Sequence, residues 1–478
     1  MKPTPNFGRI LSLMAFVLVA SAPPARAQIG EACDQTPTGV AAEDSFLHYV
    51  IPDGLTPDPS LWGKQAKLAF RRVFPLYANG KCDGVPTQVL VLSHGRTITG
   101  PAAFDLGDPT GSDDTSFSLQ RTLAWRGIES YALEHLGYGR SSRFFLNDPC
   151  NASKEGDALG GGAASNAHAA RQQETLLIPN PLAVTCEHTS NVRFARMAMA
   201  VFDLVQMIDY ALAVSKPTAR RVTVLGYSAG ATRVGAFLDP ENREYGNDPI
   251  ANLSKVDRAI FISLVYDRVG PTEELEAPTP PYPTFPLAVR TEASIPNDWR
   301  MSASREAVCT GHLVPGTPEQ EWLQMMQRET AGRDWGVADD DKTTGLSRFP
   351  TFSRNRFNQV VVGRSVTPLL LIHGLDDTVA SPSGSCNLYN DLYKDAPSPP
   401  SKLALFVGCA SHASFLEGCD PSRCTGGWTG PRASVQEAIA EWIKFGTVGG
   451  FASGRLLVNQ HTGAITPIAD NATCPPSP

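Results

Sequence analysis

The segment from Arg221 to Leu238, RVTVLGYSAGATRVGAFL, constrains this chain more than any other. RVTVL is a short β-branched and leucine run that suits a buried strand. AGATRVGAFL, which closes the segment, suits a helix. At the junction Gly226-Tyr227-Ser228-Ala229-Gly230 matches G-x-S-x-G. A strand that turns straight into a helix brings backbone segments close together, so side chains at the two glycine positions would clash. The turn also holds the central serine in strained geometry, with its hydroxyl at the end of the strand. Such a turn belongs in an architecture that alternates strands and helices.

The flanking sequence supplies that alternation. Strands are predicted at 68–75, at 88–93 (QVLVLS), at 129–134, 257–266, 366–372 and 402–407. From Asn191 to Val214, Met197, Val201, Leu204, Val205, Ile208 and Leu212 recur at helical spacing, so this is an amphipathic helix. A closing helix is predicted over 434–445. The fold class is α/β, with a mostly parallel central sheet flanked by helices.

Two stretches break the rhythm. Residues 143–189 carry Gly160, Gly161 and Gly162 between Cys150 and Cys186, which reads as a large loop stapled at its base. Residues 270–364 begin Pro-rich, continue through a helix near 318–330, and hold Trp299, Trp322 and Trp335. They read as a cap inserted between two core strands. The expected division is a signal peptide at 1–27, a first part of the core at 28–269, the cap at 270–364, a second part of the core at 365–446, and a C-terminal tail at 447–478.

The signal segment rests on Lys2 and Arg9, an apolar run from Ile10 to Ala22, and Ala25-Arg26-Ala27 as a small-x-small cleavage site. The mature chain then starts at Gln28 and is secreted or periplasmic, with no integral membrane segment after cleavage. The ten cysteines, Cys33, Cys82, Cys150, Cys186, Cys309, Cys386, Cys409, Cys419, Cys424 and Cys474, all follow this segment. An even set in an exported chain reads as a disulfide framework. The expected pairs are Cys150–Cys186, Cys419–Cys424, and Cys386–Cys409 tying the segment after one strand to the segment after the next. Without Lys2, Arg9 and Arg26 the basic count falls from 41 to 38 against 48 acidic residues. An acidic surface does not favour a phosphate backbone, so no nucleic-acid partner is expected.

A serine hydroxyl becomes a good nucleophile only when a base takes its proton. His412, in Ala410-Ser411-His412-Ala413-Ser414, stands just after the run LALFV and before the closing helix. His461 is the weaker alternative. The imidazole in turn needs an acid to orient it and to stabilise its charged form. The run Leu369 to Val379 ends a strand in HGLDD, where Asp377 is the choice and Asp376 the alternative. Developing negative charge on a substrate oxygen needs two backbone N–H donors. Ala229 supplies one, and Arg96 in Ser93-His94-Gly95-Arg96 supplies the other.

Five motifs therefore stand in order: SHGR at 93–96, EHLGYGRSS at 134–142, GYSAG at 226–230, HGLDD at 373–377 and ASH at 410–412. Together, over residues 60–445, they resemble the α/β-hydrolase superfamily. The resemblance implies a Ser–His–acid hydrolase with no cofactor and no metal, acting on a small-molecule or polymeric ester. HGLDD with a cap is also similar to the proline-iminopeptidase and tripeptidyl-aminopeptidase group. That group has a Gly-Gly-Pro-Gly loop where this chain has SHGR. An exported aminopeptidase or amidase is the nearest alternative, and would need cap carboxylates such as Glu273, Glu274, Glu276, Glu319 or Glu321 to hold a free amine. A non-catalytic binding protein on the same scaffold is the alternative from another class.

Overall fold

The computed structural model describes residues 36–78, 88–111, 114–154, 188–194, 196–215, 220–243, 248–270, 285–335, 345–351, 357–420, 422–469 and 471–476. The signal segment lies outside the described residues, as do Cys186, most of the loop 143–189, and Glu273, Glu274 and Glu276.

A ten-stranded sheet runs in the order β1-β2-β4-β3-β6-β7-β10-β11-β12-β13. Its members are β1 (Gly39–Val50), β2 (Gln65–Leu76), β3 (Gln88–Ser93), β4 (Ile128–Glu134), β6 (Val222–Tyr227), β7 (Val256–Ile262), β10 (Leu369–Gly374), β11 (Lys402–Val407), β12 (Gly454–Val458) and β13 (Ile465–Ile468). Every pairing from β4 through β12 is parallel, while β1/β2, β2/β4 and β12/β13 are antiparallel. The central strands are near-continuous apolar runs because both faces of a parallel sheet are covered.

Alternation along these strands divides the core into two layers. Leu90, Leu92, Leu225, Ile260, Ile262, Leu370 and Ile372 point to one side, where they meet helix α1 (Gly100–Phe104), α2 (Leu119–Trp125) and α7 (Pro431–Phe445). Val89, Val91, Val224, Phe261, Leu371 and Phe406 point to the other, where they meet α3 (Met197–Ser215), α4 (Ala229–Phe237) and α6 (Pro382–Asp391). Helix α3 has 19 residues and is apolar enough to cross a membrane by length and composition alone. Here Leu204, Met207, Ile208 and Ala211 are buried in the second layer.

Between β7 and β10 the described chain forms β8 (Leu287–Arg290), β9 (Ser347–Pro350) and helix α5 (Thr317–Arg328). The strands β8 and β9 make a separate three-stranded sheet with β5 (Ala152–Lys154). Ile295, Trp299, Trp322 and Met325 of this inserted segment join the first core layer beside Ile98 and Tyr227. The segment thus lies directly on the loop after β3.

Three features differ from the sequence reading. The strand β1 was not anticipated: Phe46 is partly exposed and the strand carries Glu43, Asp44 and His48. Its register with β2 is secured by side-chain pairs across the two strands, Arg71–Asp44 at 2.9 Å and Arg72–Glu43 at 3.0 Å. The C-terminal stretch read as a tail contributes β12, parallel to β11, and β13 at the sheet edge. Its strands are only five and four residues long, too short for a clear period-two pattern.

The disulfide Cys386–Cys409 is not formed. Cys409 pairs with Cys309 of the inserted segment, and Cys386 pairs with Cys474. Cys386 sits on α6 in the second core layer, whereas Cys409 packs against Met301 and Cys309. The two expected partners therefore belong to different parts of the core. Cys419–Cys424 forms as expected. Among the described residues no cysteine is free.

Candidate active site

The parallel strands β3, β4, β6, β10 and β11 all end at one edge of the sheet, and each of the five motif loops leaves from one of those ends. That edge is where open α/β sheets gather functional residues.

Ser228 stands between β6 and α4 with φ 53° and ψ −122°, a positive φ that costs a non-glycine residue roughly 1–3 kcal/mol. Its amide donates to Ile262 at 2.9 Å, which fixes the turn to the neighbouring strand. A methyl at Gly226 would overlap the backbone of Gly230 and Ala231, and one at Gly230 would overlap the carbonyls of Ser93 and His94. Gly226 thus permits the turn itself, and Gly230 permits the loop after β3 to lie against it. Ser228 is only half-buried within this packed junction. Ala229 opens α4, so its N–H has no acceptor within the helix.

His412 is buried on the loop after β11 and donates through Nδ1 to Asp377 Oδ2 at 2.8 Å. Asp377 Oδ1 accepts from the amides of Val379 and Ala380, both at 2.8 Å. A second imidazole, His373, faces Asp377 Oδ2 through Nε2 at 3.2 Å. His373 Nε2 also donates to Ala380 O at 2.8 Å, and its Nδ1 accepts from Ser385 at 2.6 Å. Burial pushes the Asp377 carboxyl up, but the charge of His412 and the hydrogen bonds from His373 and His412 outweigh it. Together they hold the group well below the usual carboxylate range.

Asp376 does something else. Its two oxygens take a bidentate pair from Arg305, Nε at 2.6 Å and Nη2 at 3.2 Å, and Arg305 Nη2 also donates to Gln460 Oε1 at 2.8 Å. The structure brings Asp377 and not Asp376 to His412. Cys309, Asp376 and Cys409 lie close together, but both sulfurs belong to the disulfide.

Tyr227 joins the turn at Ser228 to His412. Its ring centroid lies 5.2 Å from that of His412 and 5.0 Å from that of Phe415. Burial raises its hydroxyl well above the usual range, and the carboxylates of Asp298, Glu321 and Asp377 add to the shift. Gly374 closes the same contact from the other side, since a methyl there would overlap the carbonyls of Ala410 and Ser411.

The loop carrying Gly95 and Arg96 is held from both sides. Below it, Arg233 Nη1 donates to His94 O at 3.0 Å. His94 Nδ1 donates to Gly95 O at 2.7 Å, and its Nε2 accepts from the His135 amide at 3.3 Å. Above it, Arg96 Nη2 donates to Thr351 O at 3.3 Å, and Arg290 Nη1 donates to Thr97 Oγ1 at 2.7 Å. Glu134, in EHLGYGRSS, accepts from the Arg140 amide at 2.8 Å and pairs with Arg328 of α5 at 2.5 Å.

A strained serine on a strand-to-helix turn is followed in the chain by an aspartate, then by a histidine bonded to it, with a glycine loop after β3 beside them. This is the α/β-hydrolase fold. His461 stands apart from the imidazole–aspartate pair and is near Gln460, with Nε2 at 3.2 Å from Gln460 Nε2. Sequence reasoning missed His373, Tyr227, Arg305 and Glu417, which all touch or flank the His412 loop. The HG of HGLDD could have signalled His373, and nothing in the local sequence signals the others.

No protein-family model matches the sequence, and no curated protein matches it. Solved α/β-hydrolase structures do. An esterase from Rhodococcus sp. ECU1013 is 14% identical at a TM-score of 0.40, covering 85% of this chain and 100% of its own. A soluble variant of monoglyceride lipase from Saccharomyces cerevisiae is 13% identical at 0.43, covering 86% and 98%. A thermophilic esterase from Thermogutta terrifontis is 12% identical at 0.42, covering 84% and 98%.

Proposed function

We propose that this chain is an exported serine hydrolase that cleaves carboxylic esters through an acyl-enzyme. The observation that carries the reading is the His412–Asp377 bond of 2.8 Å at the sheet edge where Ser228 stands with φ 53°. With Nδ1 engaged by Asp377, His412 has Nε2 left to take the Ser228 proton. Ser228 Oγ then attacks the acyl carbon. The N–H groups of Ala229 and Arg96 hold the oxyanion, and His412 returns the proton to the leaving alcohol. Water, deprotonated by the same imidazole, releases the acid. Residues 270–364 act as the cap that selects the substrate. The disulfides among the described residues support an oxidising compartment and the signal segment 1–27.

The aminopeptidase alternative needs a cap carboxylate that stays charged. Glu321 is the described one that is buried near Tyr227, and burial pushes its carboxyl up to about 8. A carboxyl raised by burial is a poor counter-ion for an amine, so Glu321 lends this alternative no support.

The test is labelling by a fluorophosphonate probe together with turnover of nitrophenyl esters and aminoacyl-naphthylamides. Wild type should label and cleave the esters. Ser228→Ala should fold, fail to label, and lose roughly three to six decades of turnover. Faster cleavage of the naphthylamides would transfer the reading to the amidase alternative. Undiminished turnover in Ser228→Ala would remove the nucleophile assignment altogether.

A further inference from the structure

Ser411, the residue before His412, is fully buried and is held by one side chain, Glu417, which is itself fully buried. The Ser411 amide donates to Glu417 Oε2 at 2.8 Å. The Ser411 hydroxyl is in close contact with Glu417 Oε1 and also lies 3.3 Å from the carbonyl oxygen of Asp298 in the inserted segment. A serine hydroxyl has one proton to donate, and a backbone carbonyl can only accept. If Ser411 donates to Asp298, the contact with Glu417 Oε1 must be supplied by a proton on Glu417. A neutral carboxylic acid satisfies every partner: Oε2 accepts the Ser411 N–H, Oε1–H donates to Ser411 Oγ, and Ser411 Oγ–H donates to Asp298. A carboxylate would take the hydroxyl proton from the Asp298 carbonyl and would itself be a fully buried charge bonded to no described cation.

From this proton count we infer that Glu417 is the positioning residue of the His412 loop. It works as a neutral carboxylic acid whose ionisation sets an alkaline limit on turnover. The inference rests on the reading of His412 as the base.

The surroundings agree. Burial pushes the Glu417 carboxyl up to about 8 against the Ser411 hydrogen bonds, and the negative charges of Asp377 and Asp376 add to the rise. Those two face it from the loop after β10, the first bonded to His412 and the second to Arg305. From α7, the Arg432 amide donates to the Glu417 carbonyl at 2.9 Å. The Arg432 guanidinium lies instead over the Phe117 ring, 3.8 Å from its centroid. From the inserted segment, the His312 ring is bonded to the carbonyls of Cys309 and Trp299, each at 3.0 Å. No described cation is bonded to the Glu417 carboxyl. Ionisation would place a third negative charge beside Asp376 and Asp377, and would remove the donor that links the His412 loop to Asp298.

Glu417→Gln mimics the neutral acid, with an N–H in place of the O–H, and cannot ionise. Its kcat at pH 7 should stay within about threefold of wild type, whereas Glu417→Ala should lose roughly 10- to 100-fold in kcat with little change in KM. The wild-type kcat should fall as pH rises through about 8, and in Glu417→Gln that limb should move up by about one unit or more. Infrared spectra at pH 7 should show a protonated-carboxyl band that disappears in Glu417→Gln. If Glu417→Ala does not fold, the glutamine variant carries the test alone. An unmoved alkaline limb, a Glu417→Gln as slow as Glu417→Ala, or an unchanged infrared spectrum overturns the inference. The infrared band separates the two readings. Its loss in Glu417→Gln with no ester turnover by wild type removes the proposed function and the alkaline limit with it. An unchanged band with normal turnover removes the Glu417 inference alone.

Discussion

Two buried clusters in this molecule each hold two histidines and one aspartate, and they are poised in opposite ways. In one, His373 and His412 both face Asp377 Oδ2, and the carboxyl is held well below its usual range. In the other, behind the loop after β3, His135 reaches Asp203 Oδ2 at 3.2 Å and Ser93 Oγ at 2.8 Å, with His94 beside it. There burial pushes Asp203 up to about 7, opposed by hydrogen bonds from Tyr49 and the Leu136 amide and by the charge of Arg233. Burial pushes both imidazoles down, and Arg233 adds to the effect at each. The residue types are the same, so composition does not separate a proton-handling cluster from a structural one. The surroundings do: burial, with Arg233 adding to it, opposes a proton on His94 or His135, while Arg305 beside the other cluster is bonded to Asp376. In one cluster the carboxyl is held down between two imidazoles, and in the other burial holds the imidazoles down and the carboxyl up.

The largest effect should come from removing the carboxylate of the first cluster. Asp377→Asn should cost about 10⁴ in kcat, because the amide cannot fix the Nδ1–H tautomer of His412 or stabilise its charged form. Asp376→Asn, which loosens Arg305 only, should cost under about tenfold by comparison. Steady-state turnover of a nitrophenyl ester for the two variants decides this, and the reverse order would move the orienting role to Asp376.

The next effect should come from the disulfide beside the first cluster. Cys409 lies three residues before His412, and its bond to Cys309 ties that loop to the inserted segment. Cys386–Cys474 closes a loop of similar length, with separations of 88 and 100, but holds α6 to the C-terminal stretch. Replacing either pair by serine should cost stability of about 2–5 kcal/mol. Only the Cys309/Cys409 double variant should also lose roughly 10- to 100-fold in kcat, through displacement of His412. Measuring Tm and kcat on both double variants gives the comparison, and equal losses of kcat would show that the staple has no special bearing on the base.

What the sequence made legible were the parts with a local steric requirement. Gly226 and Gly230 are demanded by the turn and by the loop after β3, and Gly374 by the carbonyls of Ala410 and Ser411. QVLVLS, RVTVL and KLALFV read as buried strands because both faces of the sheet are covered. What stayed hidden depends on distant segments meeting. Cys409 lies next to Cys386 in the list of cysteines, yet its partner is Cys309, 100 residues upstream. Asp376 and Asp377 are neighbours in the chain, and only Arg305 and His412, brought from elsewhere, give them different tasks. Glu417 is an ordinary acid in the sequence, and becomes unusual only when the loop folds back to enclose it with Ser411.

The smallest effect on turnover should come from the second cluster. Asp203→Asn keeps an acceptor for the Leu136 amide, now at 3.0 Å, and an amide that can donate to the Tyr49 oxygen. Turnover should therefore stay within about threefold of wild type. Stability should respond instead, and with a definite sign. A carboxyl raised in the folded state from 3.8 to about 7 contributes stability that is fully present below pH 3.8 and is lost as pH rises to about 7. The slope over that window is at most about 1.4 kcal/mol per pH unit. Asparagine has no such slope. Relative to wild type, Asp203→Asn should therefore gain Tm on going from pH 5 to pH 8, by thermal unfolding at the two values. A constant Tm difference would mean that Asp203 is ionised across that range. A loss of turnover as deep as that of Asp377→Asn would mean that the second cluster takes part in the reaction.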